Sequence, residues 1–327
     1  MNIYNKKFLI TLLLFPAISL AQSLSPKDYA DYGKEYELGR KYPQDFAKAI
    51  EYYRYAALGE YPPAMERMGF FYMQGIGVSK NYEEAISWFT KASNLGSAPA
   101  EYNLSLLYAD EKSEYYDPTE SFNWMMKAAI KNLPAAQAAI GLKMYKGFGT
   151  EQNTKESVKW FKAAADRKAP LGQLMIGLMI KEGQISSKNK NEATTWVNMA
   201  LAQKMLPDDF YTIGMLYSKG EGMPLKPEES VYWMAYALQN GYASAAYFLQ
   251  SAFANGFGVR KSKTLSMAMY EIGKLKIKPS PSQTKLYSDL VNNSTTQEKL
   301  LAVSQYNDLL KPNGILSTVL PEIRRPG

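Results

Sequence analysis

The chain has 327 residues, of which 46% are hydrophobic and 21% charged, a composition typical of a folded globular protein with about two domains. It contains no cysteine and no histidine, which excludes disulfides, Cys/His zinc sites, thiolate nucleophiles and histidine-based catalytic triads. The formal net charge of +7 is mild, so we predict no nucleic-acid partner. Several basic residues lie near the C-terminus, and we favour their exposure to solvent over contact with an acidic partner or an anionic membrane. They are Arg260, Lys261, Lys263, Lys274, Lys276 and Lys278.

Residues 1–21 have the pattern of a secretory signal peptide. Lys6 and Lys7 precede an apolar stretch that is too short for a confident membrane span, and Ser19-Leu20-Ala21 places small residues before a cleavage site at Gln22. An uncleaved anchor is the alternative. We therefore predict a periplasmic or secreted protein, with no transmembrane segment after cleavage.

A period of about 36 residues runs through the chain. The five tryptophans are separated by 36, 36, 36 and 37 residues and lie at Trp88, Trp124, Trp160, Trp196 and Trp233. A second set of positions, here called the glycine slot, keeps the same period and holds Gly33, Gly69, Ser105, Gly141, Gly177, Gly214 and Gln250. Such periodicity indicates stacked repeats. We place seven of them near residues 28–63, 64–99, 100–135, 136–171, 172–208, 209–244 and 245–280.

Each repeat has the pattern of two helices. In the second repeat, Ala64, Met68, Gly69 and Tyr72 share one helical face, and Gly75 then ends that helix. Asn81 is the predicted N-cap of the next helix, with a capping-box glutamate three residues later. The same capping-box pair recurs as Asn81 with Glu84, Asp117 with Glu120, Asn153 with Glu156, and Asn189 with Glu192. Prolines at a first helical position support the assignment at Pro118 and Pro227.

The motif Ala-x-x-x-Met-Gly-x-x-Tyr-x-x-Gly-x-Gly-Val, followed by Ala-x-x-Trp-Phe-x-x-Ala, resembles the Sel-one-like repeat (SLR) family, which is related to tetratricopeptide repeats. The resemblance covers seven repeats, roughly three-quarters of the chain. It implies an all-α fold, an α-solenoid in which antiparallel helix pairs form a right-handed superhelix with one concave face. Repeat three departs from the pattern at Asp110-Glu111-Lys112-Ser113, and repeat seven has Met269 in place of tryptophan.

Residues 281–327 break the period. Ser282 to Leu310 has the pattern of one or two helices, and Pro321 to Gly327 is predicted to be loosely ordered. A repeat array needs a polar cap at each end, because the last apolar face has no neighbour to cover it. We therefore predict a helical C-terminal cap with a short tail.

No arrangement of residues indicates catalysis, so we predict a protein that is not an enzyme and has no catalytic, cofactor or metal site. The strongest candidate cation site is an acidic run with no calcium-loop spacing, for which a solvated loop is favoured: Asp110, Glu111, Glu114, Asp117 and Glu120. The periodic tryptophans are predicted to be core residues.

The first helix of each repeat lines the concave face in the architecture that the resemblance implies. Its contact positions lie three residues before the glycine slot and one and four residues after it. The predicted partner-binding residues are Phe70, Met73, Tyr102, Leu106, Leu142, Tyr145, Leu178, Tyr211, Met215 and Tyr247, with Lys34, Glu37, Glu66 and Leu174 on the same face. Tyrosine and methionine favour protein interfaces. Burial of these side chains between neighbouring repeats is the alternative.

These observations predict an exported adaptor or scaffold that binds a partner protein through this face. Two more specific alternatives are a periplasmic immunity protein that neutralises a toxic effector and a regulator that associates with peptidoglycan. The resemblance supports the adaptor, because the family is known for assembling or regulating complexes.

Overall fold

A computed structural model describes residues 24–324, and the predicted signal peptide lies outside the described residues. The described chain is an all-α solenoid built from short antiparallel helices. Seven first helices alternate with seven second helices along the sequence. The first helices are α1 (Pro26–Leu38), α3 (Pro62–Gln74), α5 (Ala98–Tyr108), α7 (Pro134–Lys146), α9 (Pro170–Lys181), α11 (Pro207–Lys219) and α13 (Ser244–Asn255). The second helices are α2 (Phe46–Leu58), α4 (Tyr82–Asn94), α6 (Pro118–Ile130), α8 (Thr154–Asp166), α10 (Glu192–Leu201), α12 (Pro227–Gln239) and α14 (Lys263–Lys274).

The helices divide into two compact bodies. The N-terminal body ends at Asn153 and contains α1 to α7, and the C-terminal body begins at Thr154 and contains the remaining helices. Where both helices of a repeat lie in one body, the first helix packs most extensively on the second, and the second then packs on the next first helix, except at α10 and α11. The apolar faces of neighbouring pairs therefore cover one another, as expected of stacked repeats.

The glycine slot is where paired helices approach most closely. A Cβ atom added at Gly69 would lie 2.7 Å from the Phe89 ring, and one added at Gly177 would lie 2.8 Å from Val197. Any side chain at these two positions would force the second helix away. In the repeats that have glycine at this slot, the period of the glycines thus records a packing constraint between the two helices.

One backbone hydrogen bond recurs at the start of the second helices. The N–H of the N-cap residue donates to a carbonyl oxygen nine residues earlier, near the end of the preceding first helix, as in Asn81 to Tyr72 at 2.9 Å. Because the N-cap N–H already donates to this carbonyl oxygen, it does not donate to the glutamate three residues later. The predicted cap is therefore confirmed for Asn81, whose side chain accepts from the Glu84 N–H, but its reciprocal capping box is wrong.

Repeat five departs from the predicted cap. Helix α10 has Asn191 at its N-cap instead of Asn189, and the Asn191 side chain makes no capping hydrogen bond. The Glu192 carboxylate instead accepts from the Ser187 hydroxyl and from the Trp196 indole N–H. The residues between Gly183 and Asn191 carry no second turn glycine, so this connection takes a different path into its helix.

The periodic tryptophans are only partly core residues. Trp233 is 2% exposed, whereas the other four are half-buried at the edge of the core. Lysine ammonium groups lie over two of the rings, Lys91 at 4.3 Å from the Trp88 centroid and Lys127 at 3.7 Å from that of Trp124. This cation–π geometry covers a ring face that neighbouring repeats leave open.

The C-terminal end has three further helices, α15 (Pro281–Asn292), α16 (Thr296–Leu309) and α17 (Gly314–Val319), followed by a 3-10 turn at Leu320–Glu322. Capping boxes start α15 at Ser280 and α16 at Thr295. The tail is more ordered than predicted as far as Arg324. The Arg324 N–H donates to the Gly258 carbonyl oxygen, and the Arg260 N–H donates to the Glu322 carbonyl oxygen.

Candidate functional site

The predicted partner-binding face is partly accessible in the N-terminal body. Phe70, Met73, Tyr102 and Leu142 are half-buried, and Leu106 is 44% exposed. These side chains come from α3, α5 and α7, the first helices of successive repeats. Their exposure is compatible with contact to a partner, and their role in binding stays a prediction.

Three of the ten predicted residues are buried. For Tyr145 and Leu178 this favours the alternative of packing inside the solenoid, whereas Tyr247 still lines a cavity described below. Tyr145 is 0% exposed, Leu178 is 1% exposed and Tyr247 is 7% exposed. Leu178 belongs to α9, where every residue from Gly172 to Met179 is buried. Apart from Gln173, the residues of this buried stretch are apolar, the pattern of a helix without a solvent face.

The C-terminal body brings Tyr211, Met215 and Tyr247 together around an open cavity of about 460 Å³. Phe248 and Ile277 complete its apolar lining, and its polar rim consists of Ser244, Lys278, Ser280 and Gln283. The cavity therefore combines an apolar floor with hydrogen-bonding groups at its edge, the usual composition of a binding cavity.

The two tyrosines of this cavity are held in place by their surroundings. The Tyr211 ring lies 4.4 Å from the Tyr242 ring, measured between centroids, and burial raises the pKa of the Tyr211 hydroxyl. The Tyr247 hydroxyl donates to the Ile277 carbonyl oxygen at 2.8 Å. Both rings thus present fixed surfaces to the cavity, which limits the entropy lost when a partner binds.

The N-terminal body has a second cavity, of about 420 Å³, with a charged lining. The charged residues of its lining are Asp31, Lys34, Glu37, Glu66 and Arg67. Arg67 forms a two-pronged ion pair with Glu37, and the Tyr53 hydroxyl donates to the same carboxylate at 2.8 Å. The Arg67 guanidinium also lies 4.6 Å from the Phe70 ring centroid.

Each cavity contains a residue that the sequence interpretation missed. Arg67 and Phe248 both lie two positions before the glycine slot, next to the predicted position three before it. A residue two before the slot is three residues from the position one after it, and residues three apart on a helix are neighbours. Adding this one offset to the pattern would have found both residues.

No metal-binding group of three or more acidic side chains lies within residues 24–324, the part of the chain that the structure describes. In the acidic run of repeat three, two carboxylates accept backbone hydrogen bonds instead. Asp110 accepts from the Lys112 N–H, and Asp117 accepts from the Thr119 and Glu120 N–H groups. Over the same described residues, no helix has both the length and the apolar character that a membrane crossing requires.

The sequence model of the Sel1 repeat matches residues 26–61, 62–97, 98–133, 134–168, 170–204 and 211–242. These six matches cover more than half of the chain, and the chain belongs to the Sel1 repeat family. The α13/α14 pair lies beyond the last match and has the same helix–turn–helix form. No match was found among curated proteins.

Several solved structures are similar to the chain. A Sel1 repeat protein from Oxalobacter formigenes has 25% identity, covers 81% of this chain and 76% of its own, and has a TM-score of 0.46. A protective antigen with an SLR fold from uropathogenic Escherichia coli has 16% identity, covers 94% and 82%, and has a TM-score of 0.42. An immunity protein from Pseudomonas aeruginosa has 16% identity, covers 71% and 83%, and has a TM-score of 0.40.

Proposed function

We propose that this Sel1 repeat protein is an exported scaffold that binds a partner protein through its first helices. The observation that carries the proposal is the cavity formed by Tyr211, Met215, Tyr247 and Phe248. Three of these four residues occupy the contact positions that the repeat register predicts. An apolar segment of a partner would fill the floor, while Ser244 and Gln283 offer hydrogen bonds to its backbone.

The chemistry of the cavity fits a protein ligand. Aromatic residues and methionine are enriched at the centre of protein interfaces, where methionine adapts its shape and rigid rings supply area at low entropic cost. The charged cavity of the N-terminal body adds polar contacts to the same class of surface. The Sel1 repeat family supports a non-enzymatic interaction role, which is the form of function proposed here.

Export is part of the proposal and rests on the signal-peptide pattern of residues 1–21. Neutralisation of a toxic effector and regulation at peptidoglycan are narrower versions of the same binding role. Both stay alternative predictions, and the partner-capture experiment below separates them by the identity of what is bound.

The experiment is affinity capture from an envelope extract with the wild-type chain and a Tyr211→Glu, Met215→Glu double variant. Leu225→Glu is the matched control, because Leu225 is 62% exposed in the turn before α12 and outside the cavity lining. Circular dichroism confirms that each variant folds. We expect one protein to be recovered by the wild type and the control and lost from the double variant.

Equal recovery by all three chains would contradict the cavity as the binding site. Recovery of no protein would contradict the scaffold itself. Tyr145 is unsuitable for such a test, because a glutamate at this buried position would disrupt the core.

A further inference from the structure

Glu66 lacks the ion pair that stabilises four other shielded carboxylates of the protein. Glu37, Glu101, Glu182 and Glu229 are each largely removed from solvent, and each forms an ion pair with a lysine or an arginine. Glu66 is half-buried in α3, and the only partner that its carboxylate has within the described chain is the hydroxyl of Ser97. A shielded carboxylate is normally paired, because burial without a counter-charge is costly.

Ser97 fixes the orientation of this carboxylate. The Ser97 hydroxyl is the N-cap of α5 and accepts from the Ala100 N–H at 3.0 Å, so its own proton is left to be donated to Glu66. Ser97 is buried, which holds the hydroxyl in one position. Glu66 is therefore pre-organised at the wall of the charged cavity, with a hydrogen bond but without a cation.

The other charged side chains of the cavity form no ion pair with Glu66. The Arg67 guanidinium is committed to Glu37 by two hydrogen bonds, and Lys27 forms an ion pair with Asp31 at 2.7 Å. Lys34 lines the same cavity and forms no ion pair with Glu66. A cation brought by a ligand is the missing counterpart of this carboxylate.

The rest of the lining fits a side chain with an aliphatic stem. Leu38, Tyr61 and Pro63 also line the cavity and supply apolar surface. Lysine and arginine bury their methylene stems on apolar surface while their charged ends stay near polar groups. A cavity of about 420 Å³ is large enough for one such side chain.

We propose that the cavity of the N-terminal body is a subsite for one lysine or arginine side chain of the partner, with Glu66 accepting its charged hydrogen bond. The inference rests on the proposed function, since the ligand belongs to a bound protein. Glu66 is here a specificity-determining residue. The repeat register supports this role, because the same position holds alanine, tyrosine or leucine in the other repeats.

Burial raises the pKa of the Glu66 carboxyl, and the Ser97 hydrogen bond opposes that change. A docked cation would favour the ionised form and lower the pKa again. Binding of the cation therefore weakens as the pH falls through the raised pKa of the free protein, because protonation removes the charge that the ligand contacts.

The test uses two probes with the same stem, Nα-acetyl-lysine amide and the uncharged Nα-acetyl-norleucine amide. The chain is labelled with ¹³C at glutamate carboxyl groups, and the Glu66 resonance is identified as the one missing from the Glu66→Gln variant. We expect the lysine derivative to shift this resonance saturably and to lower the measured pKa. We expect the norleucine derivative to bind at least about tenfold more weakly, equivalent to 1.4 kcal/mol.

Glu111→Gln is the matched control, since Glu111 is an exposed carboxylate of the same body. It should leave binding of the lysine derivative unchanged, whereas Glu66→Gln should abolish the preference over norleucine. Glutamine keeps an acceptor for Ser97, so this variant remains folded. Equal binding of the two probes, a preference that persists in Glu66→Gln, or no saturable shift would each overturn the inference. The scaffold proposal would stand in these cases if affinity capture through Tyr211 and Met215 succeeds.

Discussion

Equivalent positions of the repeat differ in exposure, and the difference is sharpest between Leu106 of the N-terminal body and Leu178 of the C-terminal body. One residue after the glycine slot, Leu106 is exposed, Phe70, Leu142 and Met215 are half-buried, and Leu178 is buried. Repeat register therefore fixes the direction of a side chain within its helix. The composition of the surrounding helix decides whether that side chain reaches solvent, as the predominantly apolar α9 demonstrates.

Two turn glycines of similar backbone conformation, one in each body, give the first test of how packing differs between the bodies. Gly149 in the N-terminal body has φ +71°, and an added Cβ would lie 1.9 Å from the Pro118 carbonyl oxygen. Gly183 in the C-terminal body has φ +72° and no atom within 4 Å of the added Cβ. We expect Gly149→Ala to lower the free energy of unfolding by about 3 kcal/mol or more, because the clash adds to the strain of the left-handed backbone. We expect Gly183→Ala to lower it by about 1 kcal/mol, from that strain alone. Thermal unfolding by circular dichroism measures both, and equal losses would contradict the packing described for Gly149.

The shielded ion pairs should give the next largest difference. Lys131 pairs with the buried Glu101 at 2.7 Å, and the other carboxylate oxygen of Glu101 has no hydrogen-bond partner. Lys226 pairs with Glu182, which also accepts from the Tyr217 hydroxyl at 3.1 Å. We expect Lys131→Met to cost about 2 kcal/mol and Lys226→Met about 1 kcal/mol. Without Lys131, Glu101 would keep only the hydrogen bond from the Ser93 hydroxyl at 3.2 Å, and its second buried oxygen has no partner. Urea unfolding measures both values, and a reversed order would show that Tyr217 does not compensate.

Lys143 should give a smaller effect of opposite sign. It occupies a repeat position that is apolar and buried at Phe71 and Leu107, and its ammonium donates to Ser121 at 2.7 Å. Burial, with a contribution from Lys146, lowers the pKa of Lys143 to about 8. We expect Lys143→Met to stabilise the protein at pH 7 by about 1 to 2 kcal/mol, discounted for partial exposure.

The control is the pH dependence of the difference in unfolding free energy between Lys143→Met and the wild type. Between about pH 8 and the ordinary lysine pKa of 10.5, the unfolded chain binds more protons at Lys143 than the folded chain, so this residue makes stability rise with pH. The advantage of Lys143→Met over wild type should therefore shrink across this range. A difference that stays constant from pH 7 to pH 10.5 would show that Lys143 is not desolvated.

Helix caps should give the smallest difference. Asn81 accepts from the Glu84 N–H at 3.0 Å, while Asn191 makes no capping hydrogen bond with its side chain. We expect Asn81→Ala to cost about 1 kcal/mol and Asn191→Ala a few tenths. Chemical denaturation resolves the pair. A larger loss at Asn191 would mean that the altered start of α10 depends on that side chain.

Sequence periodicity predicts the helix pairs well because each recurring spacing reflects a direct packing or capping requirement. Gly69 must be small beside Phe89, and Asp117 must accept backbone hydrogen bonds at the start of α6. The order of the tail was not predictable, because it depends on a long-range pairing of Val259 with Ile323 that leaves no local pattern.

The candidate site was only partly predictable from the sequence. The register located Tyr211, Met215 and Glu66, since side-chain direction follows from helical geometry. It could not show that Tyr145 is buried or that Arg67 is committed to Glu37, because burial and ion pairing depend on side chains from other repeats. The absence of a cation at Glu66 likewise emerges only when all neighbours are placed.

Site-specific photo-crosslinking in the native envelope tests the central claim most directly. A photoreactive phenylalanine analogue at Met215 or at Leu106 lies on the proposed binding surface, whereas one at Ile130 or at Leu225 lies on exposed positions outside it. A protein scaffold that binds through its first helices predicts one crosslinked partner from Met215 and Leu106 and none from Ile130 and Leu225. Crosslinks of equal yield from all four positions, or from Ile130 and Leu225 alone, would contradict that account.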